Sequence, residues 1–332
     1  SNVLLEAADG ELRLTTTNME LTILTKLPCM VQEAGSITLP AKSLQAIISA
    51  MRDGEVTIER NGTVATIRCN RALFKLNGLP ADEFPKVPVF KESREFRVPQ
   101  AMLNRGFRYT EFAISKDISR YVLNGIYTSF QDGKLTMVAS DGRRLALFEN
   151  ELEFPESQQV SIDLPSRAVG EIHRLLSDAG DVMVRITQSQ AAFDFEDTLL
   201  ITKIIDGKYP NYREVIPSRY NERIIIPAQD LSETVRRVSL LAAKKTNMVR
   251  FRFAPGSMEV LTSSTDLGEA NEELPIDYNG RELTISFNVD YILDPLKAVG
   301  EGEVSIDLLD SSGPCVMRVA DEFLYVLMPM HS

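Results

Sequence analysis

Val160-Ser161-Ile162-Asp163-Leu164-Pro165-Ser166-Arg167-Ala168-Val169-Gly170-Glu171-Ile172-His173-Arg174-Leu175-Leu176 is written in two periods. Val160, Ile162 and Leu164 alternate with polar residues, which predicts a half-buried strand. Val169, Ile172 and Leu176 stand three and four apart, which predicts an amphipathic helix. Pro165 and Ser166 fall at the junction, where a missing N–H costs nothing and a hydroxyl can cap.

The chain writes this unit again and again. It recurs at 36–48, 95–103 and 223–231, and at 283–293 with Asn288 replacing Pro as the cap. Ile37, Ile162 and Ile285 are equivalent, about 125 and 123 residues apart, and Val98 and Ile226 are about 128 apart. Five units in two interleaved registers predict an α+β chain of three repeated domains, each with two strand-helix-strands halves. The breaks at Phe84-Pro85-Lys86-Val87-Pro88 and at 209–217 read as linkers. They set the domains at 1–90, 91–217 and 218–332. Two alternating runs flank Asp9-Gly10 between Val3 and Leu24. Further strands are expected at 55–59, 64–68, 72–76, 125–130, 135–139 and 145–149, from the end of the opening unit to Ile205, and at 249–253 and 258–262, and the last strands end at 324–330. Val3 corresponds to the strand near Ile126, so the first domain lacks its opening half-unit.

The 332 residues suit two or three domains, with 44% hydrophobic and 25% charged residues in an ordinary globular balance. No apolar run approaches the roughly 18 residues of a membrane helix, and no basic-then-apolar leader is seen. Cys29, Cys69 and Cys315 are scattered and odd in number, which predicts reduced thiols in a cytoplasm. A net charge of −11 argues against a sequestering nucleic-acid binder. Yet the polar helix faces carry Lys42, Arg52, Arg105, Arg108, Arg167, Arg174, Arg237, Lys244 and Lys245, which predicts one shared basic surface. Catalytic chemistry is sparse. His173 and His331 lack a nearby nucleophile, no phosphate loop is present, and the cysteines and histidines lack metal-site spacing. No cofactor and no enzymatic activity are expected. Two features stand out beyond the fold: the rich turn Ser140-Asp141-Gly142-Arg143-Arg144-Leu145, and the terminal stretch 326–330, whose methionines suit adaptable partner binding.

Five stretches decide the function: Arg120-Tyr121-Val122-Leu123-Asn124-Gly125, Ser140-Asp141-Gly142-Arg143-Arg144-Leu145-Ala146, Asp206-Gly207-Lys208-Tyr209-Pro210-Asn211-Tyr212, Phe287-Asn288-Val289 and Tyr325-Val326-Leu327-Met328-Pro329-Met330. Through them the chain resembles the bacterial sliding clamps, the beta subunits of DNA polymerase III, over essentially its whole length. The resemblance implies a head-to-tail homodimer ring of clamp domains, with sheets outside and helices lining a central hole around duplex DNA. Sequence-independent DNA contacts are implied for Arg68, Arg71, Lys116, Arg120, Arg167, Arg174 and Lys208. A peptide-binding pocket is implied at Leu123, Ser140, Gly142, Arg143, Arg144, Leu145, Pro210, Val215, Tyr291, Val326, Leu327, Met328, Pro329 and Met330. Its implied partners are the DNA polymerase III alpha subunit, the clamp loader delta subunit and other clamp-motif proteins. The subunit contact is implied at Phe74 and Leu76 against Leu240 and Leu241, with Glu269, Glu272 and Glu273 in support. Glu214 and the ending Met330-His331-Ser332 depart from the family pattern at the pocket rim, so an altered motif preference is expected. The family's first strand and first helix have no counterpart in this sequence, which is expected to omit that segment. A β-rich interaction scaffold and a hydrolase using His173 are the competing readings.

Overall fold

A computed structural model describes residues 2–90 and 92–330. In chain order the first elements are β1 (Asn2–Ala8), β2 (Glu11–Thr17), β3 (Leu21–Pro28), β4 (Gly35–Pro40), α1 (Ala41–Ala50), β5 (Val56–Asn61), β6 (Val64–Cys69) and β7 (Ala72–Asn77). There follow β8 (Arg94–Pro99), α2 (Gln100–Thr110), β9 (Gly125–Gln131), β10 (Lys134–Ser140), β11 (Arg144–Glu151), β12 (Val160–Pro165), α3 (Ser166–Leu175), β13 (Asp181–Ile186), β14 (Gln190–Asp194) and β15 (Thr198–Lys203). The last are β16 (Glu222–Pro227), α4 (Ala228–Ser239), β17 (Met248–Ala254), β18 (Ser257–Ser264), β19 (Gly268–Pro275), β20 (Leu283–Asn288), α5 (Val289–Val299), β21 (Glu303–Leu308), β22 (Cys315–Val319) and β23 (Phe323–Leu327).

All five strand-helix units form: β4-α1, β8-α2, β12-α3, β16-α4 and β20-α5. The junction chemistry differs from expectation at Ser166. Pro165 is the cap residue and makes no side-chain cap bond, so the hydroxyl does not cap. Instead the Ser166 N–H donates to the Asn124 carbonyl at 3.0 Å. Gln100 donates likewise to Gly180, Ala228 to Gly302 and Val289 to Asn247. A carbonyl from outside the helix thus satisfies a first-turn donor that the helix itself leaves orphaned. Asn288 does cap, accepting from the N–H groups of Asp290 and Tyr291.

The chain packs into two compact units. One runs to Gln100 and takes in Ala179–Ile204; the other comprises Ala101–Asp178 and the chain from Ile205 onward. The first holds an eight-stranded sheet, β4-β1-β2-β3-β15-β14-β13-β8, and the three-stranded sheet β5-β6-β7. The second holds another eight-stranded sheet, β12-β9-β10-β11-β23-β22-β21-β16, and the four-stranded sheet β19-β18-β17-β20. Each eight-stranded sheet draws four strands from one repeat and four from the next. The joins are antiparallel, Leu24 opposite Leu199 and Leu147 opposite Leu324. In the first unit Val3, Leu5, Ile37, Leu39, Leu44, Ala65 and Ile67 form one core cluster. In the second, α4 and α5 lie side by side, with Leu231, Val235, Ile292 and Leu296 buried. Two strand expectations fall short. The opening run is three strands rather than two, and β19 was not foreseen.

Candidate peptide site and basic faces

The pairing of β11 with β23 joins the two features the sequence had left standing. Leu145 lies opposite Val326 and Arg144 opposite Leu327. The Met328 N–H then donates to the Arg143 carbonyl at 3.1 Å, and the Met330 N–H to Ser286 at 2.8 Å. On one face of the sheet Leu123, Val138, Leu145, Tyr209, Val316 and Val326 form a buried cluster, with Leu147, Tyr212, Ile216 and Leu324 packed against it. Tyr209 reaches it from the 209–217 segment, its ring 5.2 Å from that of Tyr127. Around this floor Val215 is 53% exposed and Met328 45%. Pro210 is also exposed, while Pro329 and Met330 are half-buried. Large exposed apolar side chains beside a buried apolar floor are what an inserted apolar peptide needs. Tyr209, Val138 and Val316 were missed from sequence. Tyr209 was visible only as the aromatic start of a linker, and a linker is expected to face solvent.

The turn before β11 is built by its own side chains. The Ser140 hydroxyl donates to the Arg144 carbonyl at 2.7 Å and accepts from the Gly142 N–H. Asp141 accepts from the N–H groups of Arg143 and Arg144. Gly142 has φ +86°, the left-handed region that favours glycine, while a Cβ there would only displace the flexible end of the exposed Arg120 side chain. Arg144 turns away from the apolar floor. Its guanidinium bonds Asp141 at 3.0 Å, Asp294 at 2.7 Å and the Phe112 carbonyl at 2.6 Å, and it stands 4.3 Å over the Tyr291 ring. Burial alone would lower its pKa, but Tyr325, Asp294 and Asp141 outweigh that and hold it firmly protonated. Leu327, fully buried, sits opposite Arg144 on that same side. Arg144, Leu327 and Tyr291 therefore brace the wall that carries Leu145 and Val326.

One buried acid touches this floor. Asp163 on β12 lies opposite Tyr127 and is 6% exposed. Among the described residues its Oδ1 has no hydrogen-bond partner. Burial pushes the Asp163 carboxyl up to about 7. Burial, then Asp163, raises the Tyr209 phenol.

All seven residues with an implied DNA role are exposed. Arg68 and Arg71 belong to the first unit, in β6 and its turn into β7. In the second unit Gly207 packs against Val122 and Tyr121, which brings the Lys208 loop beside the 118–123 turn that carries Arg120. Arg167 and Arg174 lie on α3. Three are already engaged: Arg68 with Glu59 at 2.7 Å, Arg174 with Glu171 at 3.1 Å, and Arg120 with Asp117 at 3.7 Å. The wider basic-face expectation needs correction. Arg237 is bound by Glu272 at 2.6 Å and Glu233 at 3.5 Å, and Arg105 by Glu322 at 3.5 Å. Lys244 and Lys245 lie beyond the end of α4. Glu272 is thus an internal partner of α4.

Phe74 and Leu76 lie on β7, the edge of its sheet, and pack partly against their own core. Leu240, just past α4, is 78% exposed, and Leu241 is half-buried. Glu269, Glu272 and Glu273 lie on β19, also an edge strand. His173 sits between Glu111 and Asn104, each at 2.9 Å, with no nucleophile among these partners. His331 lies outside the described residues. Among the described residues no cluster of His, Cys, Asp and Glu could hold a metal, and no helix is long and apolar enough to cross a membrane.

Comparison with known proteins gives the same reading along the entire chain. Family models match for the DNA polymerase III beta subunit N-terminal domain over residues 1–88, central domain over 97–211 and C-terminal domain over 213–331. The chain is 31% identical to the beta sliding clamp of Synechococcus elongatus and 31% to that of Pseudomonas aeruginosa. In each case the match spans 99% of this chain and 91% of the relative. The solved sliding clamp of Pseudomonas aeruginosa superposes with a TM-score of 0.95 over 100% of this chain and 92% of that one, at 31% identity. That of Bacillus subtilis also gives 0.95, over 100% and 91%, at 27%. With a repeated α+β architecture, an apolar floor on a joined sheet and this uninterrupted likeness, the chain belongs to the family of bacterial beta sliding clamps, the beta subunits of DNA polymerase III.

Proposed function

We propose that two copies of this chain close head to tail into a ring around duplex DNA and carry replication proteins along it in the cytoplasm. Family membership makes the chain a sliding clamp rather than a self-standing scaffold. The observation that carries ring closure is a pair of unused edges. In each repeat the strand equivalent to β3 and β11 ends one half, and the strand equivalent to β15 and β23 ends the other. β3 joins β15 and β11 joins β23, but β19 and β7 are both left as edges. An open edge invites a further strand. Carrying over the register of the two observed joins sets Leu73 of one copy opposite Asn271 of another. This is the contact assigned to Phe74, Leu76, Leu240, Leu241, Glu269, Glu272 and Glu273. The three domains are taken as 1–90, 91–217 and 218–332.

Within the ring, the seven exposed basic residues meet phosphate without reading bases, which suits a protein that must slide. The cluster of Leu123, Leu145 and Val326, rimmed by Pro210, Val215, Met328, Pro329 and Met330, takes short apolar peptides from partners, with Ser140, Gly142 and Arg143 shaping the turn beside it. The polymerase alpha subunit and the clamp loader delta subunit are the expected donors. The test is retention on DNA. Protein loaded onto nicked circles should stay bound through gel filtration and leave when the circle is cut. Equal loss from circular and linear DNA would overturn the ring.

A further inference from the structure

We infer that a cleft beside the peptide floor is a second seat for the same bound peptide, and that it takes a single acidic side chain lying outside the apolar motif. The inference rests on the peptide-binding reading above. The cleft, of about 610 Å³, shares Leu147, Ile216 and Leu324 with the floor and continues across the same face of the sheet. Strand register fixes the path. Leu147 lies opposite Leu324, Leu324 opposite Arg318, Arg318 opposite Ser305 and Ser305 opposite Ile225.

Charge fixes the occupant. Asp307, 2% exposed, accepts from Arg223 at 2.6 and 2.9 Å and from Arg318 at 3.0 Å. Among the described residues neither guanidinium has another carboxylate within 4 Å. Two cations therefore share one anion, and most of their N–H donors remain uncommitted. Arg213, which also lines the cleft, lies over the Tyr212 ring and likewise has no carboxylate within 4 Å among the described residues. Glu149, Glu303 and Asp321 line the cleft too; Lys134 holds Glu149 at 2.6 Å, and the three carboxylates repel a run of acids, so one acidic residue fits and several do not. From β23 to β21 is two strand spacings, about 10 Å, or about three extended residues. The acid should therefore lie about three residues beyond the apolar motif.

The test uses the full-length chain and a labelled peptide carrying the clamp-binding segment of a bacterial polymerase III alpha subunit. Asp, Asn or Lys is placed three residues outside the motif, on each side in turn, and binding is read by anisotropy. On one side Asp should bind about tenfold more tightly than Asn, as a charge-assisted hydrogen bond allows, and Lys more weakly than both. Arg318→Gln should shrink the Asp preference to under about twofold, with the Asn peptide unaffected. If Arg318→Gln weakens the Asn peptide too, Arg213→Gln decides, since its side chain is exposed and needed by no carboxylate. Equal binding of Asp and Asn peptides, or an Asp preference undiminished in these variants, overturns the acidic seat and leaves the apolar pocket standing. Failure of every peptide to bind overturns both.

Discussion

Asp163 occupies a polar position in an alternating strand, and alternation alone would place its carboxylate in water. The 205–217 segment prevents that. The Ile205 N–H donates to the Asp163 carbonyl at 2.9 Å, and Tyr209 follows it over the strand. The facing groups are the phenols of Tyr209 and Tyr127, neither of them a cation. A carboxyl raised to about 7 by burial keeps its proton in the folded state after the unfolded chain has released its own near 3.8. Its contribution is therefore complete below about pH 4, falls between about 4 and 7, and stays lost above that. A shift of this size corresponds to roughly 4 kcal/mol at most. Asp163→Asn should match the native chain in urea stability at pH 4 and exceed it at pH 8 by about 2 kcal/mol, allowing for relaxation around the charge. Stability curves that stay parallel from pH 4 to 8 would show that the carboxyl finds a partner in solution. The sequence could not reveal this, because burial here comes from a segment more than 40 residues downstream.

The elements that the sequence made legible are those where pattern and chemistry agree. Five Pro or Asn junctions between a period of two and a period near 3.6 located five strand-helix units, and their spacing located the repeat. β19 escaped because Gly268-Glu269-Ala270-Asn271-Glu272-Glu273-Leu274-Pro275 half-buries Ala270, Glu272 and Leu274, and Glu272 is there to meet Arg237. An edge strand, paired on one side only, need not alternate apolar and polar residues. The apolar floor of the candidate site was legible at Leu145 and Val326, whose neighbours carry the resemblance. It was not legible at Val138 or Val316, which read as ordinary strand interior. If β7 and β19 pair between copies, Leu73, 53% exposed in the single chain, is covered in the dimer. Leu73→Asp loses that burial and sets a carboxylate close to the glutamates of β19. It should weaken each contact by about 2 kcal/mol or more, seen as monomer in native mass spectra at concentrations where the native chain is dimeric. Leu73→Met should remain dimeric. A fully dimeric Leu73→Asp protein would place the subunit contact elsewhere.

At the scale of the whole molecule, a net charge of −11 and a DNA-encircling role are compatible only if topology, not attraction, holds the DNA. The structure divides the seven basic candidates accordingly. Arg68, Arg120 and Arg174 each share their charge with a neighbouring carboxylate, while Arg71, Lys116, Arg167 and Lys208 have none within 4 Å among the described residues. Each phosphate contact made by a free cation contributes about 0.9 to the slope of log K against log salt, and a prepaired cation contributes less because its own carboxylate competes. On a short linear duplex at low salt, Lys116→Ala, Arg167→Ala and Lys208→Ala should each reduce that slope by about one. Arg68→Ala and Arg174→Ala should reduce it by clearly less. None of the five should change retention on nicked circles at salt high enough to abolish linear binding, since a closed ring cannot leave a circle whatever its charge. Loss of circle retention in Lys116→Ala or Lys208→Ala, with the dimer intact, would mean that phosphate contacts and not closure hold the clamp in place.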